Sequence, residues 1–237
     1  MIVSYKHQFV FLKSRKTAGT SIQEALAAQC GSGDFITKTT YEPKGDRDAI
    51  QRKRKLYAAL KTGAIQRQNL AVSGSADRGG ETKRLPLGHA SAKTIKRMFG
   101  DEFDRFLKIA FVRNPWELVT SRFLWNRARN RHDYDSFPKW LAEDYCKSPW
   151  PGRDQLHQYT HIENQRCADF IGRYERLTED WQALCQRIGL PFQPLPRKKA
   201  LTATRPEYQS MYDAESVDIV ASLFAKDIAL FDYRFER

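Results

Sequence analysis

The 237-residue chain has no Cys-x-x-Cys pair, and its four cysteines, Cys30, Cys146, Cys167 and Cys185, lie far apart. That spacing excludes a zinc ribbon and a dense disulfide framework and leaves reduced, partly buried thiols as the expectation. No run of about 18 apolar residues occurs, so no membrane-spanning helix is expected. Residues 1–6 lack a charged region followed by a long apolar core, which makes a soluble, cytoplasmic protein the expectation. Acids are in deficit, 28 against 40 Lys plus Arg, giving a formal charge of +12. So basic a balance suits an anionic ligand, a nucleic acid or a polyanionic surface and does not choose among them. Repeats and low-complexity tracts are also missing. The length suits one domain over residues 1–237 with insertions at about 34–86 and 130–165.

What is present starts with the apolar run Phe9, Val10, Phe11 and Leu12, which passes through Lys13, Ser14, Arg15, Lys16, Thr17, Ala18, Gly19, Thr20 and Ser21 into Ala-rich helix-forming sequence. A buried strand, a cationic loop and a helix in that order bring unpaired backbone N–H groups and a positive dipole end to face an anion. Ser21 and Glu24 also form a Ser-x-x-Glu capping box, an ordinary helix-start device. Capping does not explain why Lys13, Arg15 and Lys16 crowd one turn with no acid nearby, an arrangement that repels itself unless something negative arrives. The loop has one glycine, and its lysine precedes that glycine, so it departs from the Walker pattern.

The first helix is predicted over about 20–29, followed by a turn at 31–34 and a short strand at 35–40. A helix over 47–61 and a Gly/Ser/Asp-rich loop over 73–82 follow. A short helix at 93–99 precedes a second apolar strand at 106–112. This strand ends at Arg113-Asn114-Pro115, with Pro115 well placed to open a helix over 116–129. A third strand is expected at 168–174, a helix from Thr178 to Ile188 stopped by Gly189, and a last helix at 214–224. Strands alternating with helices imply a parallel sheet covered on both faces, with ligands bound beyond the carboxyl ends of the strands. The turns at Lys16 and Arg113 both fall at such ends and can face one crevice. There Arg113, a guanidinium able to grip a phosphate bidentately, and Ser121, two turns along the next helix, outline a second anion site.

The pairing resembles the sulfotransferases that use 3′-phosphoadenosine 5′-phosphosulfate (PAPS), in particular the carbohydrate-sulfating branch. Its 5′ loop reads like Pro-Lys-Thr-Ala-Gly-Thr-Ser. Here Arg15-Lys16-Thr17-Ala18-Gly19-Thr20-Ser21 matches except that Arg15 stands where proline is usual. The Arg-Asn-Pro motif followed by a serine is met by Arg113, Asn114, Pro115 and Ser121, with Leu118 where an arginine is often found. Residues 172–181 and 227–235 also look like this branch. The resemblance implies an α/β, three-layer, P-loop-like fold with a central parallel sheet flanked by helices. It implies PAPS as co-substrate and no metal. The loop from Arg15 to Ser21 would hold the 5′-phosphate, Arg113 and Ser121 the 3′-phosphate, and Lys16 the bridging oxygen where charge grows. Arg205, before the last helix, would close over the nucleotide. His89, in a Gly-His segment similar to one that supplies the base in some 2-O-sulfotransferases, would take the acceptor's proton; a carboxylate is the alternative.

The acceptor implied is a saccharide or glycoconjugate, anionic ones included; its identity and the oligomeric state are left open, and no nucleic-acid partner is expected. Two other classes stay open: a nucleic-acid-binding protein using the basic surface, and a P-loop-like kinase. His157 and His161, four apart, lack the glutamate of a zinc-protease motif and read as surface or acceptor-site residues.

Overall fold

The structure, a computed structural model, describes residues 1–31, 33–37, 87–196 and 206–236. The helix predicted over 47–61, the loop at 73–82 and Arg205 lie outside these residues. In chain order the elements are β1 (Ile2–Ser4), β2 (Phe9–Leu12), α1 (Gly19–Ala27), β3 (Phe35–Ile36), a 3-10 turn (Leu87–His89), α2 (Ala92–Arg105), β4 (Leu107–Val112) and α3 (Pro115–Arg127). There follow α4 (Phe137–Trp140) with a π turn (Leu141–Tyr145), α5 (Trp150–Asp154), α6 (His157–Thr160) and the two-stranded ribbon β5 (His161–Ile162) and β6 (Gln165–Arg166). Last come β7 (Phe170–Arg173), α7 (Leu177–Arg187), α8 (Ala214–Leu223) and α9 (Ala225–Phe231).

The central sheet has the order β3-β1-β2-β4-β7. β2, β4 and β7 pair in parallel, as expected, whereas β1 pairs antiparallel with both β2 and β3. The sheet is therefore mixed and not wholly parallel. The cause is the tight connection of residues 5–8, where Gln8 takes φ 53° and folds β1 back beside β2 as a hairpin. Alternate side chains serve opposite faces. Val3, Val10, Leu12 and Ala110 pack with Ile95, Phe99 and Phe103 of α2 and Tyr159 of α6. Ile2, Phe9, Phe11, Ile109 and Phe111 pack with Ile22 and Leu26 of α1 and Trp181 and Leu184 of α7. Helices thus cover both faces, giving three layers. A third cluster joins Trp116, Val119 and Phe123 of α3 to Trp140, Val220, Phe224 and Phe231.

Helix ends follow their local chemistry. Asn114 accepts the Trp116 N–H (3.0 Å) with Pro115 next to it, and Gly189 at φ 67° follows α7. Two expectations are corrected. The helix at 93–99 extends to Arg105 across a break at Gly100, where φ is 45°. The helix does not start at Ser21: α1 begins at Gly19, and its N-cap is Ala18 at φ 58°, which has no capping side chain. Among the described residues no helix is long and apolar enough to cross a membrane.

Candidate functional site

The loop from Lys13 to Ala18 leaves the carboxyl end of β2 and is fastened from below. Ser14 Oγ donates to the carbonyl of Phe111 in β4 (2.5 Å), so the Thr17 hydroxyl must donate to Ser14 (2.7 Å). Thr17 is fully buried, and its side chain serves the loop. Lys13 also turns inward, donating to Gln23 Oε1 (2.6 Å). A Cβ at position 19 would lie 2.9 Å from Lys13 Cγ and 3.1 Å from the Ser14 carbonyl oxygen, so glycine there permits the loop to close on α1. Lys16 and Ala18 both take left-handed backbone angles, φ 60° and 58°. Non-glycine residues rarely adopt these, and such strain collects at functional sites. The first ladder bond of the helix runs from Ile22 N–H to the Ala18 carbonyl (3.2 Å). The positive end of α1 is thus presented at Gly19, Thr20 and Ser21, behind an N-cap, Ala18, that has no capping side chain and with no acid in the first turn.

The second motif meets this loop directly. Arg113, at the end of β4 and 2% exposed, donates from Nη1 to the Lys16 carbonyl (2.7 Å) and from Nη2 to Glu117 Oε1 (2.7 Å). Tyr174 stacks 3.7 Å from the guanidinium carbon. The arginine's remaining donor, Nε, is buried with no partner among the described residues. Glu117, Ser121 and Trp125, spaced by four, form one stripe along α3. Lys16 Nζ lies 4.7 Å from the centre of the Trp125 ring, and the Arg129 guanidinium 3.3 Å from it. Lys16 therefore bridges the stripe, its carbonyl at the Arg113 end and its ammonium at the Trp125 end, with Ser121 half-buried between. Beside Asn114 and Glu117 opens a cavity of about 640 Å³, also lined by Arg173, Arg176, Tyr208 and Tyr233.

His89 lies on the opposite flank. Its Nδ1 is 2.9 Å from the Lys13 carbonyl, which can only accept, so Nδ1 carries the proton and Nε2 the lone pair. Burial, then the nearby Arg15, pushes its pKa down to about 3. An ordinary histidine titrates near neutrality; this one stays neutral with a fixed tautomer. Arg15 leaves the start of α1 and sits over Trp150, 5.6 Å from the ring centre. Its charge also offsets part of the burial that pushes the Tyr159 hydroxyl up to about 12. Tyr159 in turn donates to the His89 carbonyl (3.3 Å). His157 belongs to none of this: its Nδ1 is 2.7 Å from the buried Asp227.

The structure brings Lys16, Gly19, Arg113 and Ser121 together, turns Thr17 inward and sends Arg15 sideways. Sequence reasoning missed Trp125, Trp150, Tyr159 and Tyr174. Two of them had a signal: Trp125 its four-residue spacing from Ser121, and Tyr174 its place within residues 172–181. Among the described residues no cluster of three or more His, Cys, Asp or Glu side chains is placed to hold a metal ion.

No solved structure matches the chain. An uncharacterised protein of Archaeoglobus fulgidus is 39% identical over 93 residues, covering 38% of this chain and 72% of that protein. The model of the sulfotransferase family matches residues 1–234, nearly the whole chain, including the loop at Lys16 and the Arg113 motif. The chain belongs to the sulfotransferase family, and its general chemistry is sulfuryl transfer.

Proposed function

We propose that the protein moves a sulfuryl group from PAPS to a hydroxyl of a carbohydrate or glycoconjugate and releases adenosine 3′,5′-bisphosphate. The observation that carries this reading is the contact of the two motifs: Arg113 donates to the Lys16 carbonyl at 2.7 Å, which is what one nucleotide held by both motifs requires. The residues fit a doubly phosphorylated nucleotide in three respects: a helix start whose N-cap, Ala18, has no capping side chain, a glycine where a Cβ would collide, and a buried guanidinium Nε lacking an acceptor among the described residues. In this reading the backbone N–H groups of Gly19, Thr20 and Ser21 hold the 5′-phosphate, and Arg113 and Ser121 hold the 3′-phosphate. The P-loop-like character of the fold belongs to the same proposal.

PAPS supplies an activated sulfur with a good leaving group. The acceptor oxygen attacks that sulfur in line as the bond to the bridging oxygen breaks. Lys16, released from Trp125, meets the charge that grows on the leaving bisphosphate, usually the largest electrostatic contribution of a site. His89 takes the acceptor proton at Nε2, its tautomer held by the Lys13 carbonyl. The test is incubation with PAPS and a saccharide panel, read by mass spectrometry for a sulfate-mass gain, alongside a melting curve with adenosine 3′,5′-bisphosphate. A sulfated saccharide and a raised melting temperature are expected. An unmoved melting temperature at millimolar bisphosphate would end the reading.

A further inference from the structure

Three guanidinium groups surround the single ring of Trp150. Their central carbons lie 4.3 Å (Arg122), 5.5 Å (Arg153) and 5.6 Å (Arg15) from its centre. They do not have equal parts. Arg122 is 5% exposed and forms a two-point ion pair with the fully buried Asp154, whose Oδ2 also accepts from Tyr145 (3.2 Å). That pair is a strut: buried on both sides and hydrogen-bonded, it fixes α5 against α3. Arg15 is different. Among the described residues it makes no ion pair; its guanidinium hydrogen-bonds to Tyr159, and its Nε is buried with no hydrogen-bond partner.

Stacking on an indole uses the face of a guanidinium and leaves its N–H edge to meet an oxyanion. A ring that gathers two arginines 5.5 and 5.6 Å from its centre concentrates their N–H donors in one place. The group they aim at is close to the reaction centre. Arg15 is bonded to Lys16 in the chain and lies beside Tyr159, whose hydroxyl donates to the His89 carbonyl at 3.3 Å. We propose that Arg15 and Arg153, gathered around Trp150, form a recognition site for an anionic oxygen group of the acceptor, a carboxylate or a sulfate ester, and so set a neighbouring hydroxyl before His89. This rests on the proposed sulfuryl transfer and assigns Arg15 to the acceptor and not to the donor nucleotide.

The test is calorimetric titration of the bisphosphate-loaded protein with three saccharides of equal length: one bearing only carboxylates, one bearing only sulfate esters, and one neutral. One charged saccharide is expected to bind on the order of tenfold tighter than the neutral one, the scale of a charge-assisted hydrogen bond. Arg15→Gln and Arg153→Gln should each remove about that factor. The neutral titration and the bisphosphate's melting shift should not move. Arg153→Lys, which keeps the charge and loses the planar edge, covers the case in which Arg153→Gln fails to fold, and should lose part of the factor. Lys147→Gln, an exposed charge outside the cluster, should change nothing. Equal binding of all three saccharides, or none at all, overturns the site. So does an equal loss in Lys147→Gln, which indicates diffuse charge, or loss of the bisphosphate shift in Arg15→Gln, which returns Arg15 to the donor. A wild-type protein that ignores the bisphosphate sinks sulfuryl transfer instead, and the saccharide titrations remain measurable without it.

Discussion

Lys16 has two duties that its own atoms separate. Its carbonyl holds Arg113 and its ammonium rests on Trp125. Truncation to alanine removes only the second, so Lys16→Ala is expected to lower kcat by on the order of a hundredfold or more and to keep the bisphosphate's melting shift. Stopped PAPS assays with a paired melting curve check this, and equal loss of both would make the side chain a binding group. His89 gives a second residue-scale expectation, in pH. Its folded pKa, about 3, lies below the ordinary histidine value, so the unfolded chain binds the extra proton. Stability therefore rises with pH between about 3 and 6.5 and is lost as pH falls through that window. His89→Asn should flatten this acid loss in pH-dependent melting. In kcat/KM of the wild type, no acidic limb near 6.5 is expected from this residue.

Elements convert such residues into a site through close approach. α1 can begin at Gly19 only because the Lys13 stem and the Ser14 carbonyl fill the space a Cβ would take. Alanine gains about 1 kcal/mol of helix propensity over glycine, and the overpacking it causes costs about 1–3 kcal/mol. Gly19→Ala is thus expected to be net destabilising and to blunt the bisphosphate shift, measured by denaturant unfolding with and without ligand. The strut between α3 and α5 makes a sharper case. Asp154→Ala leaves Arg122 buried and unpaired, which costs about 3–5 kcal/mol, and should be the more damaging of the two in the same unfolding experiment.

These elements also mark how far the sequence could be read. β2, β4, β7 and the helices after them were legible because apolar runs, Pro115 and Gly189 are local signals. β1 was not: its three residues carry no pattern without the partner strands. The two anion motifs were legible as a pair, since both fall at strand ends. Their division of labour was not, because the inward turn of Thr17 depends on the distant Phe111 carbonyl, and the sideways turn of Arg15 on Trp150 and Tyr159, more than 130 positions away in the chain.

At the scale of the whole molecule the charge of +12 has two readings, a field that gathers any polyanion and a set of built sites. They differ in how they respond to salt. A field acts through exposed cations and fades once ions crowd within a Debye length of about 8–10 Å. Arg113, 2% exposed and already fixed by Lys16 and Glu117, is shielded from that screening. The expected outcome is that raising salt from 0.05 to about 0.3 M strips oligonucleotides from the protein by several orders of magnitude, as counterion release requires. The melting shift given by adenosine 3′,5′-bisphosphate should fall by far less. Filter binding of a labelled oligonucleotide and a melting series over the same salts measure the two slopes. Parallel slopes would mean that the nucleotide is held by the field alone, and the nucleic-acid reading would then replace the enzyme.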